Sequence, residues 1–285
     1  MFDTVWRMEV AAHAPRPVDH RLRDVLTQLG DRIAPVTMAR ERIVPVAEPL
    51  RDLFVEGGII RGQVVSCHGA GASSVAFSIV REAMVEGSWL AAVDVGTFGA
   101  DAASELGVPL ERIVRVETSE VATSPEAQVA DWVEVMGAAA DGFDLVMTRM
   151  PAGLRQDRPP ASVRKLATRF QQRGAVVVVL GETHVLSSDV VLTTTGAVWE
   201  GLGQGSGRLR RRRVDIEATG RRQPGTRRCS FDFVAAKTRV ELAVAGSASC
   251  AVDPHDPQEQ VLAEMRSELA ARPDDAERLD HRAAG

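Results

Sequence analysis

Short apolar runs alternate with amphipathic segments along the chain from residue 62 onward. A short apolar run bounded by turn residues is typical of a buried strand, whereas apolar residues recurring every three or four positions predict a helix. The run at 175–180 is apolar throughout, as expected for a central parallel strand covered on both faces. The predicted strands are residues 63–67, 89–95, 112–116, 144–148 and 175–180, and the predicted helices lie near residues 73–85, 100–106, 125–140 and 161–173. This alternation predicts an α/β domain with helices on both faces of a mainly parallel sheet.

The pattern changes after Ser187. Segments 190–195, 213–218 and 229–234 alternate apolar and polar residues with a period of two, which is typical of half-buried strands. The last two segments are separated by a stretch that contains two glycines and a proline, and this composition predicts a turn. We therefore predict an antiparallel extension of the sheet that ends in a hairpin.

Each end of the chain carries an amphipathic segment. Residues 19–29 have a helical apolar stripe that stops at Gly30, and a proline-rich connector follows. A second stripe lies in the polar sequence after residue 253, where we expect the last residues to be disordered. The stripes supply the candidate partner-binding residues Leu22, Leu26, Leu262, Met265 and Leu269, with packing of the first stripe on the protein's own core as the alternative. The predicted organisation is an N-terminal helix and connector (1–49), an α/β core (50–245) and an acidic C-terminal helix and tail (246–285).

Composition narrows the class of protein. Hydrophobic residues make up 45% of the chain, yet no apolar run reaches the roughly 20 residues of a membrane span. The three cysteines lie far apart without metal-binding spacing, so we expect neither a zinc site nor a disulfide framework. These features lead us to expect a cytoplasmic protein that does not associate with membranes.

The net charge of −5 conceals a strongly basic block. Nine arginines and two acids lie between residues 208 and 228, whereas the segment from residue 253 to the end has nine acids and four arginines. The arginines are candidates for binding DNA or a partner protein, with a solvated charged strand or internal charge pairing as the alternatives. They are Arg208, Arg210, Arg211, Arg212, Arg213, Arg221, Arg222, Arg227 and Arg228.

A degenerate phosphate-binding loop follows the first core strand. The motif G-x-x-x-x-G-K-[ST] binds phosphate through backbone N–H groups and a lysine, and binds Mg²⁺ through a hydroxyl. Counted from Gly69, the second glycine is replaced by Ser74, the lysine by Val75 and the hydroxyl residue by Ala76. Ser73 still offers a hydroxyl, but we expect a vestigial loop that binds no cofactor.

The order of these segments resembles the RecA recombinase core over about two-thirds of the chain. The resemblance rests on the degenerate loop, the hairpin after the fifth core strand, the turn at residues 106–108, and a set of residues before the strand that leads into the loop. That set is Leu50, Leu53, Gly57, Gly58, Ile59 and Gly62. The resemblance implies a RecA-like P-loop fold with an antiparallel hairpin extension.

The resemblance also shows which catalytic groups are missing. Gly96 stands two residues after Asp94, where the family has its catalytic glutamate, and Arg149 (or Thr148, one position earlier) stands in place of the acidic residue that holds Mg²⁺. We therefore expect no enzymatic activity and no metal. The alternative is an unconventional nucleotide site built from Asp94, Arg149 and Glu182.

Within RecA-like proteins, the degenerate loop, the modest length and the arginine-rich segment resemble the ImuA group, particularly its actinobacterial ImuA-prime branch. This resemblance implies an accessory protein of a DNA-damage-induced mutasome for translesion synthesis. Its implied partners are an ImuB-like homologue of Y-family polymerases and a DnaE-type error-prone polymerase, with single-stranded DNA and self-association as further hypotheses. It also implies association with the nucleoid after DNA damage. A SulA-like inhibitor of cell division is a third interpretation.

Overall fold

The computed structural model describes residues 42–96, 98–118, 124–154, 159–183, 185–202, 207–236, 239–245 and 251–253. The two terminal amphipathic stripes lie outside these residues. The partner-binding predictions at Leu22, Leu26, Leu262, Met265 and Leu269 are therefore not described by the structure.

Ten strands form one large sheet, and two short strands, β1 (Ile43–Pro45) and β2 (Gly58–Ile60), pair separately. The sheet strands are β3 (Val64–Gly69), β4 (Leu90–Val93), β5 (Ile113–Val116), β6 (Leu145–Thr148), β7 (Val176–Leu180), β8 (Val190–Leu202), β9 (Gly207–Thr219), β10 (Thr226–Ala235), β11 (Val240–Val244) and β12 (Ala251–Asp253). Their order is β11-β10-β9-β8-β3-β7-β6-β4-β5, with β12 pairing β10. Within this order, β8, β3, β7, β6, β4 and β5 pair parallel with one another. Strand β9 pairs antiparallel with β8 and β10, and β10 pairs antiparallel with β11 and β12.

Helices cover both faces of the parallel strands, as predicted. They are α1 (Ala72–Val85), α2 (Ala100–Glu105), α3 (Pro125–Gly142) and α4 (Ala161–Arg173). Phe77 and Met84 of α1 pack in one apolar cluster, whereas Trp132 of α3 and Phe170 of α4 pack in the other. Successive β7 residues alternate between the two clusters, because side chains of a strand point to opposite faces. The predicted α/β fold is confirmed.

The antiparallel extension is confirmed, but it is larger than predicted. Strands β8 and β9 each have 13 residues, and they pair from Val191–Thr219 to Leu202–Gly207. The sequence pattern predicted only their inner ends, where one face is buried in the core. Along the outer part of β8 almost every side chain is exposed, so no apolar alternation marks it as a strand.

A buried carboxylate attaches the hairpin turn to the parallel sheet. Asp189 is only 2% exposed, and one carboxylate oxygen accepts a hydrogen bond from the backbone N–H of Val64 at 3.0 Å. Its other oxygen lies 2.7 Å from Nη2 of Arg221 and 3.2 Å from Nε of Arg222. Gly220, with φ +143°, lies so close that an added Cβ would be 2.3 Å from the Asp189 carbonyl oxygen. The turn between β9 and β10 is thus fixed at the start of β3.

Cys229 is disulfide-bonded, although the wide spacing of the cysteines gave no indication of this bond. Separation along the sequence does not measure separation in space once strands pair. Within the described part of the chain, no helix is long and apolar enough to cross a membrane.

Candidate functional site at the carboxyl edge of the parallel strands

The carboxyl ends of the parallel strands place the predicted nucleotide-site residues along one edge of the sheet. Thr148 at the end of β6 is in register with Val93 of β4 and Val179 of β7. Asp94, Arg149 and Glu182 follow these three strands, and the degenerate loop follows β3 at the same edge. The topology therefore brings together the residues that sequence analysis placed in one site.

The degenerate loop is short and its motif positions face the core. Only Ala70 and Gly71 separate β3 from α1, and Gly71 caps the helix in a left-handed conformation without a side-chain cap. Val75 is 2% exposed and Ala76 is fully buried, both in the apolar cluster of α1. A lysine or a hydroxyl at these positions would point into this core. The lysine and the Mg²⁺-binding hydroxyl of the motif are therefore absent from the sequence, and their positions are packed in the core.

Two polar residues border the loop. Ser74, in the first turn of α1, is half-buried, and its carbonyl oxygen accepts a hydrogen bond from the Ser78 hydroxyl at 2.7 Å. On the strand before the loop, Nε2 of His68 lies 3.0 Å from the Thr193 hydroxyl and Nδ1 lies 3.7 Å from a carboxylate oxygen of Glu182. His68 thus links β8 to the segment that follows β7.

A cation from the hairpin reaches the loop. Nη1 of Arg212, on β9, would lie 2.9 Å from a Cβ atom added to Gly71. The same guanidinium lies 5.2 Å from the ring centroid of Trp199 and 4.6 Å from that of Phe233. These two rings flank Arg212 in the sheet, because Trp199 and Phe233 are its partners on β8 and β10. Burial lowers the pKa of Arg212 from its ordinary value.

Sequence analysis placed Arg212 in a basic block and missed its contact with the loop. This contact depends on the register of β8, β9 and β10, which places Arg212 between two aromatic residues. That register could not be derived, because the outer half of β8 was not recognised as a strand.

The acidic residue after β4 is held by its own neighbours. The two carboxylate oxygens of Asp94 accept hydrogen bonds from the backbone N–H and the hydroxyl of Thr118, both at 2.7 Å. Asp94 has φ +52°, an uncommon left-handed conformation for a residue other than glycine. Gly96 is exposed, with no atom within 4 Å of an added Cβ. Position 96 therefore has room for a side chain but carries none.

The described residues directly after β6, at 149–154, carry no carboxylate, histidine or cysteine. The Thr148 hydroxyl accepts a hydrogen bond from the indole N–H of Trp132 at 3.0 Å, and Arg149 is exposed. Among the residues that the structure describes, no group of three His, Cys, Asp or Glu side chains could hold a metal ion.

Most arginines of the basic block form ion pairs within the sheet. Arg211 lies 3.5 Å from Glu200, and Nε of Arg213 lies 3.1 Å from Asp232, which raises the pKa of Arg213 through a hydrogen bond and its charge. The other pairs are Arg221 and Arg222 with Asp189 and Arg228 with Glu217, and Arg227 donates to the Asp52 carbonyl at 3.0 Å. Within the described residues, neither Arg210 nor Arg212 has a carboxylate partner, and the side chain of Arg208 lies outside them. The block is therefore much less basic as a surface than as a sequence.

The family model described as MT3502 N-terminal domain matches residues 52–185, just under half of the chain. The match includes the degenerate loop, strands β3 to β7 and all four helices, and it ends before β8. No curated protein matches the chain.

Proposed function

We propose that this chain is a RecA-like scaffold without nucleotide hydrolase activity, which acts as an accessory protein of a DNA-damage-induced translesion synthesis complex. In this role it recruits or organises an ImuB-like Y-family homologue and a DnaE-type error-prone polymerase. The observation that carries the non-catalytic part is the burial of Val75 and Ala76 in the core. The polymerase partners rest on the resemblance to the ImuA group.

Two further observations support a site without hydrolase chemistry, and a third supports the RecA-like scaffold. Asp94 is hydrogen-bonded to Thr118, and the residue after Thr148 is a cation, Arg149. A cation where Mg²⁺ is needed is repulsive, since two unit charges about 4 Å apart cost roughly 4 kcal/mol at a protein-like dielectric. The parallel sheet with its antiparallel hairpin is the architecture that the RecA resemblance implies.

A nucleotide-binding RecA-family regulator is the second candidate, and one observation favours it. Arg212 brings a guanidinium to Gly71, one helical turn before Val75, the position where the family has a lysine. Arg149 is a further cation at this edge. In this candidate the two arginines replace the lysine charge without restoring hydrolysis.

Titration with a fluorescent ATP analogue and Mg²⁺ separates the two candidates. We expect no saturable binding to the full chain and no phosphate release. Saturable binding that is lost in both Arg149→Ala and Arg212→Gln, but kept in Arg211→Gln, would establish the nucleotide-binding regulator instead. Arg211 is a matched control because it lies beside Arg212 but pairs with Glu200.

Affinity purification of the full chain from DNA-damaged cells tests the accessory role. We expect an ImuB-like or DnaE-type protein to co-purify, and its absence would count against the role even if no nucleotide binds. Filamentous growth on overproduction would instead support the SulA-like interpretation.

Direct DNA binding and self-association are separate elements of the proposal. Replacing residues 210–213 with alanine should weaken binding of a single-stranded oligonucleotide and reduce its dependence on salt. Since Arg211 and Arg213 are already paired, most of the loss should come from Arg210 and Arg212. Sedimentation velocity over a range of concentrations measures self-association.

A further inference from the structure

The outer half of β8 has a free edge. Strand β3 pairs with β8 only from Val65–Val190 to Gly69–Thr194, whereas β8 continues to Leu202. Within the described ranges, no strand pairs with this side of residues 195–202, and β9 occupies the other side. Eight strand residues span about 27 Å. Along this length, every second residue directs its backbone N–H and C=O away from β9.

The central part of this edge is regular and lightly protected. Register shifts at Thr194/Gly196 and at Glu200/Leu202 bracket residues 196–200, which remain in simple register with β9. Proteins usually protect such edges with charges, prolines or bulges. Here the bulges lie at the two ends, and the one charged side chain between them, Glu200, pairs with Arg211. Val198 is 57% exposed and Trp199 is 55% exposed.

The guanidinium of Arg212 lies next to this strand. Arg212 starts on β9, its guanidinium lies between the rings of Trp199 on β8 and Phe233 on β10, and its Nη1 approaches Gly71 in the loop after β3. Gly69, two residues earlier, contacts Thr194, the residue at which the free edge begins. Arg212 has no carboxylate partner among the described residues. A strand added at this edge would place side chains next to Trp199, the ring that Arg212 contacts, and Arg212 can pair with an anion.

We propose that the free edge of β8 at residues 196–200 binds an extended segment of a partner protein as an added strand, with an acidic side chain of that segment paired to Arg212 and an apolar side chain packed on Trp199. The unpaired backbone favours a peptide over a nucleic acid. A single-stranded nucleic acid could stack on Trp199 and contact Arg212, but it would not use the backbone donors and acceptors of a strand. This proposal rests on the accessory role for its expectation of a protein partner.

Selection of a displayed random heptapeptide library on the full chain tests the proposal without any polymerase. We expect enriched peptides to combine an acidic residue with apolar neighbours. Their synthetic versions should bind Arg212→Gln and Trp199→Ala about tenfold more weakly. Arg211→Gln is the matched control, because that exposed arginine lies on the opposite face and pairs with Glu200; we expect a change of about twofold or less.

Backbone N-methylation identifies strand addition itself. Methylating alternate amides of an enriched peptide should abolish binding in one register and leave it intact in the other. Three results would overturn the proposal. The first is that no enriched peptide depends on Arg212 and Trp199 for binding, and the second is that peptides methylated in either register bind equally. The third is that oligothymidylate displaces the peptides and itself requires Trp199 for binding. Each of these results leaves the nucleotide and co-purification tests of the accessory role unaffected.

Discussion

Restoring the lysine of the phosphate-binding motif should destabilise this protein. Val75→Lys replaces an apolar side chain that is 2% exposed in the core beneath α1. An unperturbed lysine has a pKa near 10.4, and burial lowers it by up to roughly 3–5 units. A shift of about three to four units, at about 1.4 kcal/mol per unit, costs about 4–5 kcal/mol at pH 7. Because domains have roughly 5–15 kcal/mol of stability, the variant should be close to unfolding.

The sign of the pH dependence identifies the cause. The folded-state pKa of a buried lysine lies below its unfolded value, so the unfolded chain binds the extra proton and stability rises with pH. Between pH 7 and pH 9 the free energy of unfolding of Val75→Lys should rise by about 2–3 kcal/mol relative to a neutral control. Val75→Met is that control, because it has similar length without charge and should cost about 1–3 kcal/mol through overpacking.

Urea denaturation followed by circular dichroism measures both quantities. If Val75→Lys is as stable as Val75→Met at pH 7 and shows no additional gain by pH 9, the ammonium group reaches solvent or a polar site. Position 75 would then face a usable phosphate site, and the argument for a scaffold without hydrolase chemistry would lose its main observation.

Three further predictions concern the framework around the site. Asp189→Asn should cost about 2–3 kcal/mol of unfolding free energy in urea, because two arginines lose a buried partner, whereas neutralising the more exposed Glu217 should cost less than about 1 kcal/mol. Burial acts to raise the pKa of Asp141, but hydrogen bonds and charges from Arg169 and Arg173 outweigh it and leave that pKa lowered. The Asp141 carboxylate therefore stabilises the folded protein above its unfolded pKa of 3.8, and this stabilisation is lost as the pH falls through the lower folded pKa. In an acid titration of stability, Asp141→Asn should lack this loss. Burial raises the pKa of Cys67 to about 12, so iodoacetamide at pH 8 should label the Cys67 peptide in urea but not in the native protein, as mass spectrometry can show.

The parallel core could be predicted because its burial pattern is strong. Strand β7 is apolar at every position, and α3 is capped by Ser124, whose hydroxyl accepts a hydrogen bond from the Ala127 N–H. The outer hairpin could not be predicted to its full length, since Val198 and Trp199 are adjacent, apolar and both exposed. Period-two alternation marks a strand only where one face is buried.

The candidate site was predicted in part. Parallel topology places Asp94, Arg149 and the degenerate loop at one edge, because each follows a strand of the parallel sheet. The ion pairs of the basic block and the position of Arg212 depend on which residues face each other across three antiparallel strands. A shift of one residue would move every one of these side chains to the other face, so they could not be derived without the register.

The register also changes the meaning of the two glycines that first indicated a phosphate-binding loop. A Cβ on Gly69 would lie 2.5 Å from the Thr194 carbonyl oxygen, and one on Gly71 would lie 2.9 Å from the guanidinium of Arg212. Both glycines also have positive φ values, 91° and 83°, which disfavour other residues. The backbone of β8 beside Gly69 and the positive φ values at both positions are therefore sufficient to favour glycine without any phosphate. The loop and the arginine-rich hairpin form one structural unit, and a partner held at the edge of β8 would contact both.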